Sequence, residues 1–171
     1  MADDEGTKAS LPAGADPQNT LIIETAPGVI FIELDTDVAP KHAERLKQLA
    51  REGYYDDVPF HRVIDGFMAQ TGDGQHGNGT GGSSYPDLKA EFSEVPFERG
   101  IVGMARKGGN NHSANSQFFI MFDEGSFLNG QYTVIGEVVA GMDVVDKLQR
   151  GEPPAKPDRI IRMKVAADAA S

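Results

Sequence analysis

Leu21-Ile22-Ile23-Glu24-Thr25-Ala26-Pro27-Gly28-Val29-Ile30-Phe31-Ile32-Glu33-Leu34 contains two strongly apolar, β-branched runs around a proline–glycine turn. Five and six residues suit strands, and three residues between them predict a hairpin from Leu21–Thr25 to Val29–Leu34. Further on, short runs of the same kind recur at Pro59–Ile64, Phe67–Thr71, Gly100–Ala105, Phe118–Phe122, Tyr132–Val138 and Ile160–Val165, separated by Gly- and Asn-rich turns. In the last run Ile161, Met163 and Val165 alternate with Arg162 and Lys164, the pattern of a half-exposed strand.

Two segments have helical spacing. Pro40 suits a first helical position, Ala43, Leu46, Leu49 and Ala50 form one apolar face, and Gly53 supplies a stop. The remaining face, with Lys41, Glu44, Arg45, Lys47, Gln48, Arg51 and Glu52, reads as solvated surface. A second helix is expected from Met142 to Arg150, with Met142, Val145 and Leu148 inward and Gly151 and Pro153-Pro154 beyond it. Two helices cannot provide the crossover that each parallel pair of strands needs, so the sheet is expected to be antiparallel. Closure into a barrel would remove its exposed edges, and the helices would cover the ends.

The 171 residues suit one domain. Residues 1–19, rich in Ala, Asp, Gly and Pro, read as a flexible leader, 20–167 as the folded domain and 168–171 as a tail. The first residues lack the basic and apolar regions of a signal peptide, and no apolar run approaches membrane-spanning length, so a soluble, cytoplasmic protein without membrane partners is expected. A formal net charge of −10 opposes binding to nucleic acid. With no cysteine, disulfides and thiolate chemistry are excluded.

Gly72-Asp73-Gly74-Gln75-His76-Gly77 satisfies G-x-G-x-x-G, but Asn78-Gly79-Thr80-Gly81-Gly82-Ser83-Ser84 follows where a dinucleotide site requires a helix. The stretch instead reads as a long loop that lets another backbone come close. The histidines, His42, His61, His76 and His112, lack metal-ligand spacing, so no metal and no cofactor is expected. His61, within an apolar segment, reads as a hydrogen-bonded structural residue. Gly-x-Ser-x-Gly is absent, and the many carboxylates are expected to be surface groups.

The segment Phe60-His61-Arg62-Val63-Ile64-Asp65-Gly66-Phe67-Met68-Ala69-Gln70 is unusual in setting one arginine and one glutamine among large apolar side chains. Strand alternation predicts Arg62 on the face of Phe60 and Ile64, opposite His61. By itself this pattern suits an arginine paired with a surface carboxylate as well as a functional one.

The segment resembles the signature of the cyclophilin family. In the same order Asn78-Gly79-Thr80-Gly81-Gly82, Asn115-Ser116-Gln117-Phe118-Phe119-Ile120, and Phe127-Leu128 followed by Tyr132 and Val134–Val138 also match, so the resemblance extends from about Thr20 to Val165. It implies a mainly β fold, an eight-stranded antiparallel closed barrel capped by two α-helices, and peptidyl-prolyl cis/trans isomerase activity that assists protein folding. By this resemblance Arg62 is the catalytic arginine, Gln70 binds the substrate backbone, and Phe67, Met68, Phe119 and Leu128 hold the proline ring. Ala105 and Arg106 fall where the family uses main-chain contacts, although the 105–117 loop is about two residues longer than its common form. Gln117 and Gly79 fall where the residue before the X-Pro bond is accommodated. Phe127 replaces a tryptophan of many eukaryotic members and Tyr132 a histidine, as in bacterial members. The implied partners are proline-containing peptides and unfolded or partly folded proteins, with the chain acting as a monomer and cyclosporin bound weakly because of Phe127. A proline-peptide-binding or holdase module with little turnover is the alternative.

Overall fold

The computed structural model describes residues 11–169. Strands β1 (Thr20–Thr25) and β2 (Gly28–Leu34) pair antiparallel from Thr20↔Glu33 to Thr25↔Gly28, so Gly28 joins the ladder and Ala26-Pro27 forms the turn. The hairpin is apolar almost throughout because both of its faces are covered. Leu21, Ile23, Ile30 and Ile32 fill the main core, whereas Ile22 and Phe31 pack with Ala166 and Leu11 on the other side.

The other strands are β3 (Val58–Pro59), β4 (Arg62–Ile64), β5 (Met68–Thr71), β6 (Ile101–Met104), β7 (Phe118–Met121), β8 (Val134–Ala140), β9 (Arg159–Ile160) and β10 (Arg162–Val165). Eight of the ten described strands, β1 and β2 included, form one antiparallel curled sheet in the order β10-β1-β2-β8-β6-β7-β5-β4. Its end strands, β10 and β4, are connected through a separate antiparallel pair, β3 with β9, in which Val58 faces Ile160. Hydrogen bonds from Phe60 N to Asp158 O (2.8 Å) and from Asp57 N to Ile160 O (2.6 Å) complete this seam. The mainly β, eight-stranded antiparallel architecture is the one expected, but the sheet curls into a half-barrel whose end strands β10 and β4 do not pair with each other, the short seam lying between them in place of the expected closed barrel.

The seam explains two departures from simple alternation. The chain changes partners between β3 and β4, so Phe60 and Val63 both enter the main core while Arg62 faces out, and the expected common face of Phe60 and Arg62 does not form. Likewise the expected run Ile160–Val165 divides at Ile161, which donates its N–H to Glu24 O (2.7 Å) and projects its side chain outward, leaving Ile160, Met163 and Val165 buried.

Helix α1 (Pro40–Arg51) lies where the spacing predicts, but its polar face is not all solvated. Arg45 is buried, donates to Pro86 O (2.7 Å) and Asn115 O (3.3 Å), and covers the Tyr85 ring. Ala39 offers no side-chain cap, and the Glu91 carboxylate, arriving from a distant loop, accepts from Lys41 N (3.1 Å) and His42 N (3.0 Å) instead.

Helix α2 spans only Met142–Val145, with tighter turns from Val144 to Leu148 in place of the expected continuation to Arg150. The Arg150 guanidinium takes the carbonyls of Asp146 and Leu148 (2.8 Å each), which a longer helix would have offered to backbone N–H groups. A short α3 (Ala166–Ala169) follows β10. Of the expected leader, residues 11–19 lie against the domain: Leu11 packs near Ile22, and Asn19 Oδ1 accepts from Lys47 Nζ (2.9 Å). Its first ten residues and the last two of the tail are outside the described residues, while Asp168 pairs with Arg51 (2.9 Å).

Candidate active site

Strands β4 and β5 set Arg62 directly opposite Gln70, and β5 pairs with β7 so that Gln70 faces Phe119. Between β4 and β5 the Asp65-Gly66 turn, with Gly66 at φ 74°, reverses the chain and delivers Phe67. Phe67 is then fixed through its carbonyl, which accepts from Phe122 N (2.9 Å). Met68, Phe119 and Leu128 form a buried apolar cluster with Phe97, Met121 and Val134, against which Phe67 and Tyr132 pack.

An open groove of about 350 Å³ runs over this cluster. Arg62, Phe67, Met68, Gln70, Gly79, Ala105, Arg106, Phe119, Leu128 and Tyr132 line it. One end is apolar; the other is polar. Phe127 stands outside the lining as a rim residue, 70 % exposed, with its ring 5.5 Å from that of Phe67. The Arg106 guanidinium lies 4.3 Å from the centre of the Tyr132 ring, which meets Phe119 edge-on at 5.8 Å.

The polar end is held by a chain of side-chain amides. Arg62 Nη1 reaches Gln70 Oε1 (3.5 Å), Gln70 Nε2 donates to Gln117 Oε1 (3.0 Å), and Gln117 Nε2 donates to Gly79 O (3.0 Å) and Gly81 O (2.9 Å). The two carbonyls belong to the glycine-rich loop, which folds around Asp73. This carboxylate, 1 % exposed, accepts from Gln75 N (3.1 Å) and His76 N (2.8 Å) on Oδ1, and from Asn78 N (3.1 Å), Gly79 N (2.9 Å) and Gly81 N (3.0 Å) on Oδ2. Burial alone would raise its pKa, but the converging N–H groups prevail and hold it well below the usual carboxylate range. At Gly72 a Cβ would lie 2.6 Å from Ser116 O, so the loop does bring two backbones into the contact expected of it. Beyond Gln117 the groove continues into a second cavity of about 330 Å³ between this loop and the 105–117 loop.

His61 borders the groove but differs from the expected hydrogen-bonded residue. It is 6 % exposed, and its Nδ1 has no hydrogen-bonding partner among the described residues. Burial pushes its pKa down; the Asp73 carboxylate opposes this and the Arg62 guanidinium reinforces it, leaving the ring neutral near pH 7.

The sequence model described as "Cyclophilin type peptidyl-prolyl cis-trans isomerase/CLD" matches residues 20–165. The chain belongs to the cyclophilin family. A probable peptidyl-prolyl cis-trans isomerase of Brucella suis is 56 % identical over an alignment covering 91 % of this chain and 87 % of the relative. A crystal structure of a cyclophilin from Hirschia baltica superimposes with a TM-score of 0.83 at 30 % identity, covering 90 % of this chain and 76 % of the other. A Cryptosporidium parvum cyclophilin-type isomerase, crystallised in the presence of the dipeptide Ala-Pro, gives 0.78 at 28 % identity, covering 85 % and 98 %.

In this cyclophilin the groove brings together every residue named from the resemblance except the peripheral Phe127 and Gln117, which supports Gln70 from the neighbouring cavity. Sequence reading missed Asp73 and Glu152. Asp73 was visible only as one letter of a glycine motif. Glu152 is distant in sequence, yet its Oε1 lies 3.1 Å from Arg62 Nε. Among the described residues no helix is long and apolar enough to cross a membrane.

Proposed function

We propose that Arg62 is the catalytic residue of a peptidyl-prolyl cis/trans isomerase, with Gln70 binding the substrate backbone and Phe67, Met68, Phe119 and Leu128 receiving the proline ring. The observation that carries this reading is the half-exposed guanidinium standing beside an apolar depression that opens to solvent. Proline-containing peptides are the substrate class, and partly folded chains that expose X-Pro bonds are its natural source.

The chemistry requires no covalent intermediate. Amide resonance sets a barrier of about 18–20 kcal/mol to rotation about the X-Pro bond. In the twisted state resonance is lost and the nitrogen regains its lone pair. A guanidinium that donates to the proline carbonyl, and toward that nitrogen as it becomes pyramidal, favours the twisted state over the planar ones. Acceleration on the order of 10⁵ corresponds to about 7 kcal/mol. A permanent charge in a partly dry groove, acting on a proline already fixed by apolar contact, suits that magnitude.

Arg62→Ala is expected to lower kcat/KM at least about tenfold in a protease-coupled assay on a short X-Pro peptide, with little change in melting temperature. Arg62→Lys is expected to be nearly as poor, because an ammonium does not present donors in a fixed fork. Near-parental turnover by the alanine variant would refute the assignment.

A further inference from the structure

Among the described residues Arg62 bonds two polar side chains. Gln70 meets Nη1 from inside the groove; Glu152 meets Nε from outside at 3.1 Å. The position of Glu152 follows from the backbone beside it. Gly151 and Val63 exchange both of their N–H···O bonds (2.8 Å each), which ties the chain segment carrying Glu152 to the middle of β4, one residue from Arg62. A side chain at Gly151 could not be accommodated there, since its Cβ would lie 2.6 Å from Pro154 Cα. Pro153 and Pro154 follow immediately and restrict the segment further. The remaining charged groups of this corner are engaged with one another, as Arg150 Nε bonds Asp65 Oδ1 (3.0 Å) and its guanidinium covers the Phe122 ring at 4.2 Å. Glu152 is thus the carboxylate bonded to Arg62, and it stays solvent-accessible, with 57 % of its side chain exposed.

We propose that Glu152 is a positioning and specificity-determining residue: it orients the Arg62 guanidinium through Nε, and its charge at the groove rim selects peptides with a cationic rather than an acidic residue directly after proline. The inference rests on the assignment of Arg62 above. If the guanidinium donates to the proline carbonyl, the next residue is bonded to that same carbonyl carbon, and its Cα lies about 3.8 Å from the proline Cα. Its side chain therefore enters the field of the Arg62–Glu152 pair. Arg62 spends its charge on the carbonyl and on Glu152, leaving the exposed outer oxygen of Glu152 to face that side chain. A lysine there gains a partner, whereas a glutamate meets a like charge. For a solvent-exposed pair the preference is roughly threefold to fivefold in kcat/KM.

The test measures isomerisation of Ala-Pro-Lys, Ala-Pro-Glu and neutral Ala-Pro-Phe peptides by exchange NMR, with the parent chain, Glu152→Gln, and Glu44→Gln as a control that removes one charge on α1. A Lys:Glu ratio of threefold to fivefold is expected for the parent and for Glu44→Gln, falling to near one in Glu152→Gln and, for the parent, in about 1 M salt. The ratio compares substrates on one preparation, so partial unfolding of a variant cancels. Loss of the orienting bond is read separately as a lower kcat on the neutral peptide, reduced less in Glu152→Asp than in Glu152→Ala. An unchanged ratio in Glu152→Gln, or an equal rate on both charged peptides with the parent, would overturn the inference while leaving the isomerase assignment intact. Failure of the parent on the neutral peptide would overturn both.

Discussion

Replacing Asp73 by Asn preserves its size and removes its charge, so it isolates what the carboxylate contributes. With Oδ1 retained toward Gln75 N and His76 N, the new amide group would face the N–H groups of Asn78, Gly79 and Gly81, donor against donor. Three hydrogen bonds to a charged acceptor, at about 1.5 kcal/mol or more each, are lost. Relaxation of the loop toward water returns part of this, leaving a destabilisation of about 3–5 kcal/mol. At roughly 2–4 °C per kcal/mol for a chain of this size, the melting temperature should fall by about 10 °C. Acid titration gives an independent signature. The native pKa of Asp73 lies below its unfolded value, so the contribution is fully present above the unfolded pKa of about 3.9 and is lost as pH falls toward the native value. The stability gap between parent and variant should therefore be widest above about pH 5 and narrow progressively below pH 4. Activity should fall as well, since the carbonyls of Gly79 and Gly81 hold Gln117 and, through it, Gln70. Calorimetric melting of both proteins from about pH 3 to 8 measures the first two effects. Melting within about 2 °C of the parent, or a gap independent of pH, would show that the loop does not depend on this charge.

Turnover should survive EDTA and vary little from about pH 6 to 9, because no titrating group acts in the proposed chemistry; a bell-shaped profile near neutrality would direct attention to His61. Stability over the same range should behave differently. Burial lowers the pKa of both His61 and His42, with Glu91 opposing the shift at His42, so protons taken up by the unfolded chain make stability decline as pH drops through about 6.5. Phe127→Trp should strengthen cyclosporin binding roughly tenfold, by about 1–2 kcal/mol, without a comparable change in peptide turnover, since the rim ring leans on Phe67 from outside the groove. Equal dissociation constants by calorimetric titration would refute that expectation.

Local chemistry made much of the architecture legible. The β1–β2 hairpin, α1 and the central strands announce themselves through β-branched runs, Pro40 and helical spacing, and the structure moves their ends by a residue or two. What the sequence hides is long-range. The division of Pro59–Ile64 depends on β9, about a hundred residues later, and Arg45 is drawn into the protein by carbonyls of Pro86 and Asn115. The site shows the same division. Arg62 and Gln70 are cross-strand neighbours eight positions apart, within reach of a local pattern, whereas Glu152 meets Arg62 from 90 positions away.

That seam also bears on how the protein comes to life on the ribosome. Synthesis is vectorial, and the strands that emerge first cannot complete their pairing: β1 waits for β10, and β3 waits for β9. Until Gly151 and Glu152 have left the exit tunnel, β4 lacks its tether at Val63 and Arg62 has Gln70 but not Glu152 beside it. The residues that line the groove all lie between His61 and Tyr132, so they are made before the seam, while the strands that await β9 and β10 keep unpaired edges until those segments emerge. The last-made segments therefore supply the tether at the outer edge of the groove and not its lining.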